Sequence, residues 1–181
     1  NIDFYLPVHL SDSFKTTTIF GFEIYGQRML TIFVMLNTLI IIFSMTFVNQ
    51  LTNKWSERKS LTTGALLQGL GFAAAFLMNS FIPLILASIV MTIGEMILVP
   101  SSQSLRADLM NEEKIGTYSG FVTITDPIGS VLSGSLVSFS VYIHHTGVAV
   151  VMVVVTVLLV LCFNQVMKMK TQAEIASSKN T

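Results

Sequence analysis

The sequence has few charged residues, and this scarcity excludes most soluble folds. Only 11% of its 181 residues are Asp, Glu, Lys or Arg, whereas soluble domains carry about 25%. Hydrophobic residues make up 52% of the chain, and its mean hydropathy is +0.71. This composition indicates an integral membrane protein. The ten basic and ten acidic residues cancel, so the net charge gives no reason to expect a nucleic-acid partner.

Cysteine is nearly absent, since Cys162 is the only one in the sequence. A disulfide within the chain and a multi-cysteine metal site are therefore excluded. His144 and His145 are adjacent, and we interpret them as solvated residues of a turn and not as metal ligands. We also find no nucleophile–base arrangement and no phosphate-binding glycine loop. The sequence therefore predicts no enzyme, no cofactor and no metal site.

Long apolar runs follow one another along the chain, each close to the ~20 residues that a helix needs to cross a bilayer. Charged loops or short polar turns separate these runs. We predict a transmembrane region at 1–167 and a polar tail at 168–181. Residues 1–10 are expected to be the exit end of a truncated helix closed by Pro7, and no signal peptide is visible in the sequence. Five complete spans follow, at about 29–53, 60–79, 82–105, 115–141 and 148–167.

Basic residues are unevenly distributed between the two ends of these spans. Eight of the ten lie in the 54–59 loop, the 106–114 loop and the tail, which alternation of the spans places on one side. Only Lys15 and Arg28 lie on the other side. Because basic loops of membrane proteins face the cytoplasm, we predict a multi-pass protein of the cell membrane with both loops and the tail cytoplasmic.

Glu95 is the only charged residue between Ser60 and Leu105. An ionisable group at the centre of a span costs about 2.5–3.5 kcal/mol on insertion scales, so such groups normally face a protein interior or a water-filled cavity. Apolar surroundings favour the neutral acid, which could then bind and release a proton as water access changes. The alternative is a permanently protonated side chain that only joins two helices. Polar residues that share its helix face are Ser88, Thr92, Ser102 and Arg106.

Asp126 is a second embedded acid, about twelve residues into the fourth span. Pro127 removes a backbone donor beside it, and we expect a kink there. Ser130 and other polar residues on this face could line a pathway, or Asp126 could satisfy backbone groups freed by the kink. In the first complete span, Asn37 is predicted to form a hydrogen bond between helices together with Ser44. The candidate cavity-lining residues are Asn37, Ser88, Thr92, Ser102 and Ser130.

Small residues recur at every fourth position in two of the spans. Such ladders let membrane helices approach closely, and we interpret them as packing devices without chemistry. They are Ala65, Gly69 and Ala73 in one span, and Gly116 with Gly120 and Ser130 with Gly134 and Ser138 in the other.

Three segments of the chain resemble a known family: Leu6–Lys15, Gly21–Leu30 and Ala107–Gly116. They are similar to the C-terminal half of a proton-coupled multidrug exporter of the major facilitator superfamily, and the resemblance extends over the whole chain. It implies an all-α integral membrane fold, the C-terminal six-helix half of a twelve-helix transporter. Its first helix, the seventh of the twelve, would be truncated, and the five spans would be helices eight to twelve.

The resemblance also implies a function and its partners. Amphiphilic, often cationic drugs would be exported in exchange for protons by alternating access, with the substrate bound between two six-helix halves in the lipid bilayer. Glu95 would couple protons and cations, with Asp3 and Asp126 as weaker participants. Thr156 and Asp126 depart from the family pattern, which has a carboxylate and a lysine there. The alternatives are uptake of a nutrient such as a sugar or peptide, and a non-transporting membrane scaffold.

Overall fold

The computed structural model describes residues 5–19, 21–110 and 115–178, almost all of them as helix. A short antiparallel pair of strands separates the first helix from the second. The predicted all-α integral membrane fold is confirmed, with this hairpin as an addition. The elements are α1 Tyr5–Ser13, β1 Thr17–Ile19, β2 Phe22–Ile24, α2 Gly26–Thr52, α3 Glu57–Leu77, α4 Phe81–Leu109 and α5 Ile115–Ser178.

Among the described residues, four helical segments are long and apolar enough to cross a bilayer. Their mean hydropathies lie between 1.4 and 2.9. The protein is therefore a multi-pass membrane protein. The segments are Gly26–Thr52, Glu57–Leu77, Phe81–Leu109 and Thr146–Gln172.

The helix boundaries follow from local chemistry. Ser56 caps α3, because its hydroxyl accepts a hydrogen bond from the Lys59 backbone N–H at 3.3 Å. The helix α1 continues past Pro7 to Ser13, so the expectation that Pro7 closes a helix is wrong.

The segment between α1 and α2 contains the β1–β2 hairpin. Thr17 pairs with Ile24 and Ile19 with Phe22. Gly21 lies at the turn with φ of +80°, a conformation that favours glycine. Arg28 then joins the hairpin to α2, since its guanidinium donates to the Glu23 carbonyl at 2.6 Å.

Glycines bring the backbones of α3 and α4 into contact. A Cβ on Gly64 would lie 2.7 Å from the Leu98 nitrogen, and a Cβ on Gly71 would lie 2.7 Å from the Met91 nitrogen. A Cβ on Gly94 would clash with the backbone of Gln68 on α3. Because glycine has a hydrogen atom in place of a side chain, α3 and α4 can form a closely packed pair at the centre of the fold.

The second helix is packed on one side only. Met29, Phe33 and Val48 are its buried residues, and the apolar residues opposite them are exposed, with Phe43 at 79% and Phe47 at 67%. A face of this kind suits contact with lipid or with another membrane helix.

Residues 142–147 belong to α5, whereas the sequence predicts a turn between two spans there. They contain no proline, so every residue can keep its helical N–H donor. The chain nevertheless bends at this point. An added Cβ on Gly147 would lie 2.9 Å from the Ile143 Cβ, whereas residues four apart on a regular helix have Cβ atoms about 5–6 Å apart.

Chain geometry requires α5 to turn back on itself. A straight helix would separate Ile115 from Lys170 by about 82 Å. Lys170 bonds to Asp108 at 2.8 Å, and the seven peptide steps from Asp108 to Ile115 plus both side chains span at most about 40 Å. A reversal at 142–147 reconciles these lengths, leaving arms of roughly 40 and 35 Å up to Lys170.

Ion pairs connect the segments around the 54–59 loop, the 106–114 loop and the tail at one end of the helix bundle. Lys170 bonds to Glu57 at 2.9 Å and to Asp108 at 2.8 Å, which joins the start of α3, the end of α4 and the end of α5. At the other end, the Lys15 backbone N–H donates to the Asn79 carbonyl at 3.0 Å. Segments that the basic residues assign to one side of the membrane thus lie at one end of the fold.

Candidate functional site

Glu95 lies at the middle of α4 and is half-buried. The side-chain amide of Asn37, on α2, donates a hydrogen bond to its Oε2 atom at 2.9 Å. Both groups lie within spans that carry few charges. The predicted interhelical hydrogen bond of Asn37 is therefore present, and its partner is Glu95.

Packing of the preceding residue fixes where Glu95 points. Gly94 contacts the backbone at Gln68 and so faces α3. Successive residues on an α-helix are rotated by about 100°. The side chain after Gly94 is therefore turned away from α3, and it meets α2.

Ser88 and Thr92 lie on the same helix, further from its C-terminal end. Both are fully buried, and the Thr92 hydroxyl donates to the Ser88 carbonyl at 2.8 Å. The Ser88 hydroxyl is buried with no hydrogen-bond partner among the described residues. Together with Glu95, these two residues form a polar stripe along about two turns of α4, and the stripe runs into the interior of the fold.

The described hydroxyl groups of Ser102 and Ser130 are not brought together with Glu95. The Ser102 hydroxyl donates to the Val99 carbonyl of its own helix at 2.9 Å, and Ser130 is exposed on the first arm of α5. Asp126 lies in α5, but its side chain is outside the described part of the structure, and Asp3 is outside the described residues altogether.

Thr156 lies on α5, and its side chain is buried against α3. Its hydroxyl donates to the Met152 carbonyl at 2.7 Å, and its side chain fills the space left by Gly69. The ladder that contains Gly69 therefore packs against α5. Thr156 therefore contributes to helix packing at this position.

The sequence did not indicate a polar cavity at the end of the bundle that holds Lys170. It has a volume of about 450 Å³ and lies between the ends of α2 and α4 and the start of α3. Three distant segments contribute to it, so no spacing pattern could predict it. Its lining includes Trp55, Glu57, Ser60, Pro100 and Asp108.

Among the described residues there is no group of three or more His, Cys, Asp or Glu side chains able to hold a metal ion. The candidate site is a carboxyl group bonded to an amide between two membrane helices. Such a group can bind a proton, or it can bind an organic cation in its place.

A family model described as Major Facilitator Superfamily matches residues 1–178. The chain belongs to the major facilitator superfamily. This confirms the superfamily suggested by the sequence resemblance, and a family of transporters agrees with the prediction that the protein is no enzyme. No curated protein matches the chain.

Two solved structures show the same fold, and both are described as POT family transporters. One, in complex with a thioalcohol conjugated peptide, has a TM-score of 0.70 and 18% identity, and the match covers 91% of this chain and 36% of that one. The other, in complex with 5-aminolevulinic acid, has a TM-score of 0.68 and 19% identity, with coverages of 87% and 35%. The chain therefore spans about a third of the length of each. At these identities the likeness concerns the fold alone.

Proposed function

We propose that the chain is the C-terminal half of a secondary transporter that exports amphiphilic or cationic solutes in exchange for protons. The observation that carries this proposal is Glu95, a carboxyl group halfway along α4, bonded to Asn37 of α2. A carboxylate that can hold either a proton or a cationic group makes the two compete. Competition at one site, exposed to each side of the membrane in turn, couples the two fluxes.

Other residues take supporting roles in this proposal. Asp3 and Asp126 are further acids that could share the proton or the solute. Ser88, Thr92, Ser102 and Ser130 supply hydroxyl groups along the path. The partners are protons, amphiphilic or cationic solutes, the lipid bilayer and an N-terminal half of six helices, with the 54–59 loop, the 106–114 loop and the tail on the cytoplasmic side.

The test is Glu95→Gln in the intact protein, reconstituted in vesicles with an imposed pH gradient. Glutamine keeps the shape and cannot carry a proton, so we expect proton-driven efflux of a cationic dye to fall by about tenfold or more, the scale of typical coupling between two ligands. Glu23→Gln is the matched control, because Glu23 lies exposed in β2, outside the spans. Unchanged efflux by Glu95→Gln, with unchanged sensitivity to a protonophore, contradicts the proposal.

Proton-driven uptake of a small nutrient is the second candidate, favoured by the fold likeness to two POT family transporters. The same vesicles distinguish the two candidates when the gradient is reversed. Accumulation of a peptide, an amino acid or a sugar, without movement of the dye, identifies uptake. A scaffold protein would move none of these solutes under either gradient.

A further inference from the structure

We propose that a basic cavity between the start of α3 and the end of α5 binds the phosphate headgroup of an anionic phospholipid. The lipid belongs to the membrane leaflet at the end of the bundle that holds Lys170. The cavity is distinct from the Glu95 site, and its ligand does not depend on what the protein transports.

The cavity has a volume of about 460 Å³. Its lining combines two cations, polar side chains and one apolar side chain, and no acidic side chain is among the described residues that line it. A concave site with two cations and no acid favours an anionic ligand. The lining residues are Ser56, Arg58, Met167, Lys168, Thr171 and Gln172.

Arg58 is oriented by a residue of α5. Its Nε atom donates a hydrogen bond to Asn164 Oδ1 at 2.7 Å, which holds the guanidinium group against that helix. Its two Nη groups have no hydrogen-bond partner among the described residues. Because a guanidinium group presents paired N–H donors that match the oxygens of a phosphate group, Arg58 provides the main contact in the proposed site.

Lys168 adds a second positive charge to the cavity. It lies four residues after Asn164, so the two residues share a face of α5. Lys170 bonds to Glu57 and Asp108, whereas Lys168 has no ion pair among the described residues. Lys168, unlike Lys170, is therefore available to an anionic ligand.

The N-terminus of α3 lies at the same cavity. Ser56 is the N-cap residue of α3 and part of the cavity lining. Its hydroxyl accepts a hydrogen bond from the Lys59 backbone N–H at 3.3 Å and keeps its own hydrogen for a ligand. The positive end of the helix dipole therefore acts on an anion together with the two full charges.

The position of the cavity favours a lipid over a soluble phosphate. The spans Glu57–Leu77 and Thr146–Gln172 begin or end beside it, so it lies at the level of the lipid headgroups. Leu161 lies seven residues before Lys168, on the same face of α5, and Leu158 lies one turn further from the cavity. Both leucines are exposed, at 54% and 56%. This face of α5 can thus receive an acyl chain while the cavity binds the headgroup.

The experiment is native mass spectrometry of the purified intact protein, stripped of lipid and titrated at near-physiological ionic strength with phosphatidylglycerol or phosphatidylcholine of equal chain length. The wild type should bind phosphatidylglycerol at least about tenfold more tightly, because each basic side chain near a membrane surface contributes roughly fivefold. Arg58→Gln and Lys168→Gln should each weaken this binding about fivefold, and the double variant about 25-fold. Binding of phosphatidylcholine should change little.

The choice of variants protects the result from a folding defect. Lys168 is exposed, so Lys168→Gln removes a charge without disturbing a buried contact. Arg58→Lys keeps the charge but loses the paired donors, and it should bind with intermediate affinity.

Lys59→Gln is the matched control. Lys59 is also exposed in the first turn of α3, but its ammonium group lies over the Trp55 ring, 4.3 Å from the centroid, and it does not line the cavity. This variant should alter the affinity by less than about twofold, since exposed charges outside a site are screened.

The site is located independently with a photoreactive phosphatidylglycerol in nanodiscs. Its cross-links should map to peptides that contain residues 56–58 and 167–172. Cross-links confined to other segments overturn the inference.

Three results of the titrations also overturn it. Equal affinity for the two lipids contradicts an anionic headgroup site. Equal weakening by Lys59→Gln and Lys168→Gln indicates general attraction between charges instead of a defined site. Glycerol phosphate that binds as tightly as the lipid assigns the cavity to a soluble phosphate.

Discussion

Gly94 is the residue on which the placement of Glu95 depends. Its hydrogen allows α4 to touch the backbone of α3 at Gln68, and any Cβ there would clash with main-chain atoms that cannot rotate away. We expect Gly94→Val to separate the helices and to destabilise the fold by about 3 kcal/mol or more. Thermal unfolding of the purified intact protein measures this.

Gly129→Val provides the comparison for that variant. Apart from the adjacent residues and backbone of its own helix, no atom of the described residues lies within 4 Å of the position that a Cβ on Gly129 would take, so this change should cost less than about 1 kcal/mol. Equal melting temperatures for the two valine variants would show that the α3–α4 contact at Gly94 does not support the fold.

At this scale the sequence singled out both residues of the Glu95–Asn37 contact, but not the contact itself. Glu95 is recognisable because it stands alone in a long uncharged run, and Asn37 because it is a polar residue in an apolar span. That these two residues meet could not be predicted. They lie 58 positions apart, and the register of α2 on α4 depends on packing by residues such as Gly94, which no spacing rule encodes.

Lys170 holds three helix ends together, and its removal tests the arrangement of elements. Lys170→Met leaves Glu57 and Asp108 without their shared cation. Because pairs near the surface contribute about 0.2–1 kcal/mol each, we expect a loss of about 1 kcal/mol in unfolding free energy. The measurement is thermal unfolding at low and high salt.

Lys168→Met is the control, since the structure gives Lys168 no ion pair among the described residues. The stability difference between the two variants should shrink in high salt, where exposed charges are screened. A difference that is absent at low salt, or that grows with salt, would argue against an electrostatic role for Lys170.

Some elements could be predicted better than others, and for identifiable reasons. Long uncharged runs predicted α2, α3 and α4, because the bilayer demands length and apolarity together. The β1–β2 hairpin was missed, although Thr17, Ile19 and Ile24 around Gly21 form a run of β-branched residues typical of one. The bend at 142–147 lies within a segment that belongs to one helix, α5, whereas polar composition predicts only a turn there.

For the whole molecule, the positions of the helix ends predict which segments share a side of the membrane. Lys54→Cys and Gln172→Cys, made in a Cys162→Ala background, should react with an impermeant thiol reagent in inverted vesicles. Ser80→Cys, at the opposite end of the bundle, should react in right-side-out vesicles instead. The expected pattern follows from the ion pairs of Lys170 and from the excess of basic residues at that end.

The labelling pattern distinguishes a wrong arrangement of the helices from a wrong orientation of the protein in the membrane. Reaction of Lys54→Cys and Gln172→Cys from opposite sides contradicts the arrangement of helices. Reaction of both from the outside contradicts only the cytoplasmic orientation and leaves the arrangement of helices intact.

The central position of Glu95 has an electrical consequence. It is residue 15 of the 29 in α4, so a proton that reaches it from either side crosses about half of the membrane. Moving one elementary charge through the whole potential changes its free energy by about 2.3 kcal/mol per 100 mV, and half the distance gives about 1.2 kcal/mol. In the proposed transporter, we therefore expect proton binding at this position to respond to the voltage across the membrane as well as to the proton concentrations, so that one residue would respond to both components of the proton-motive force.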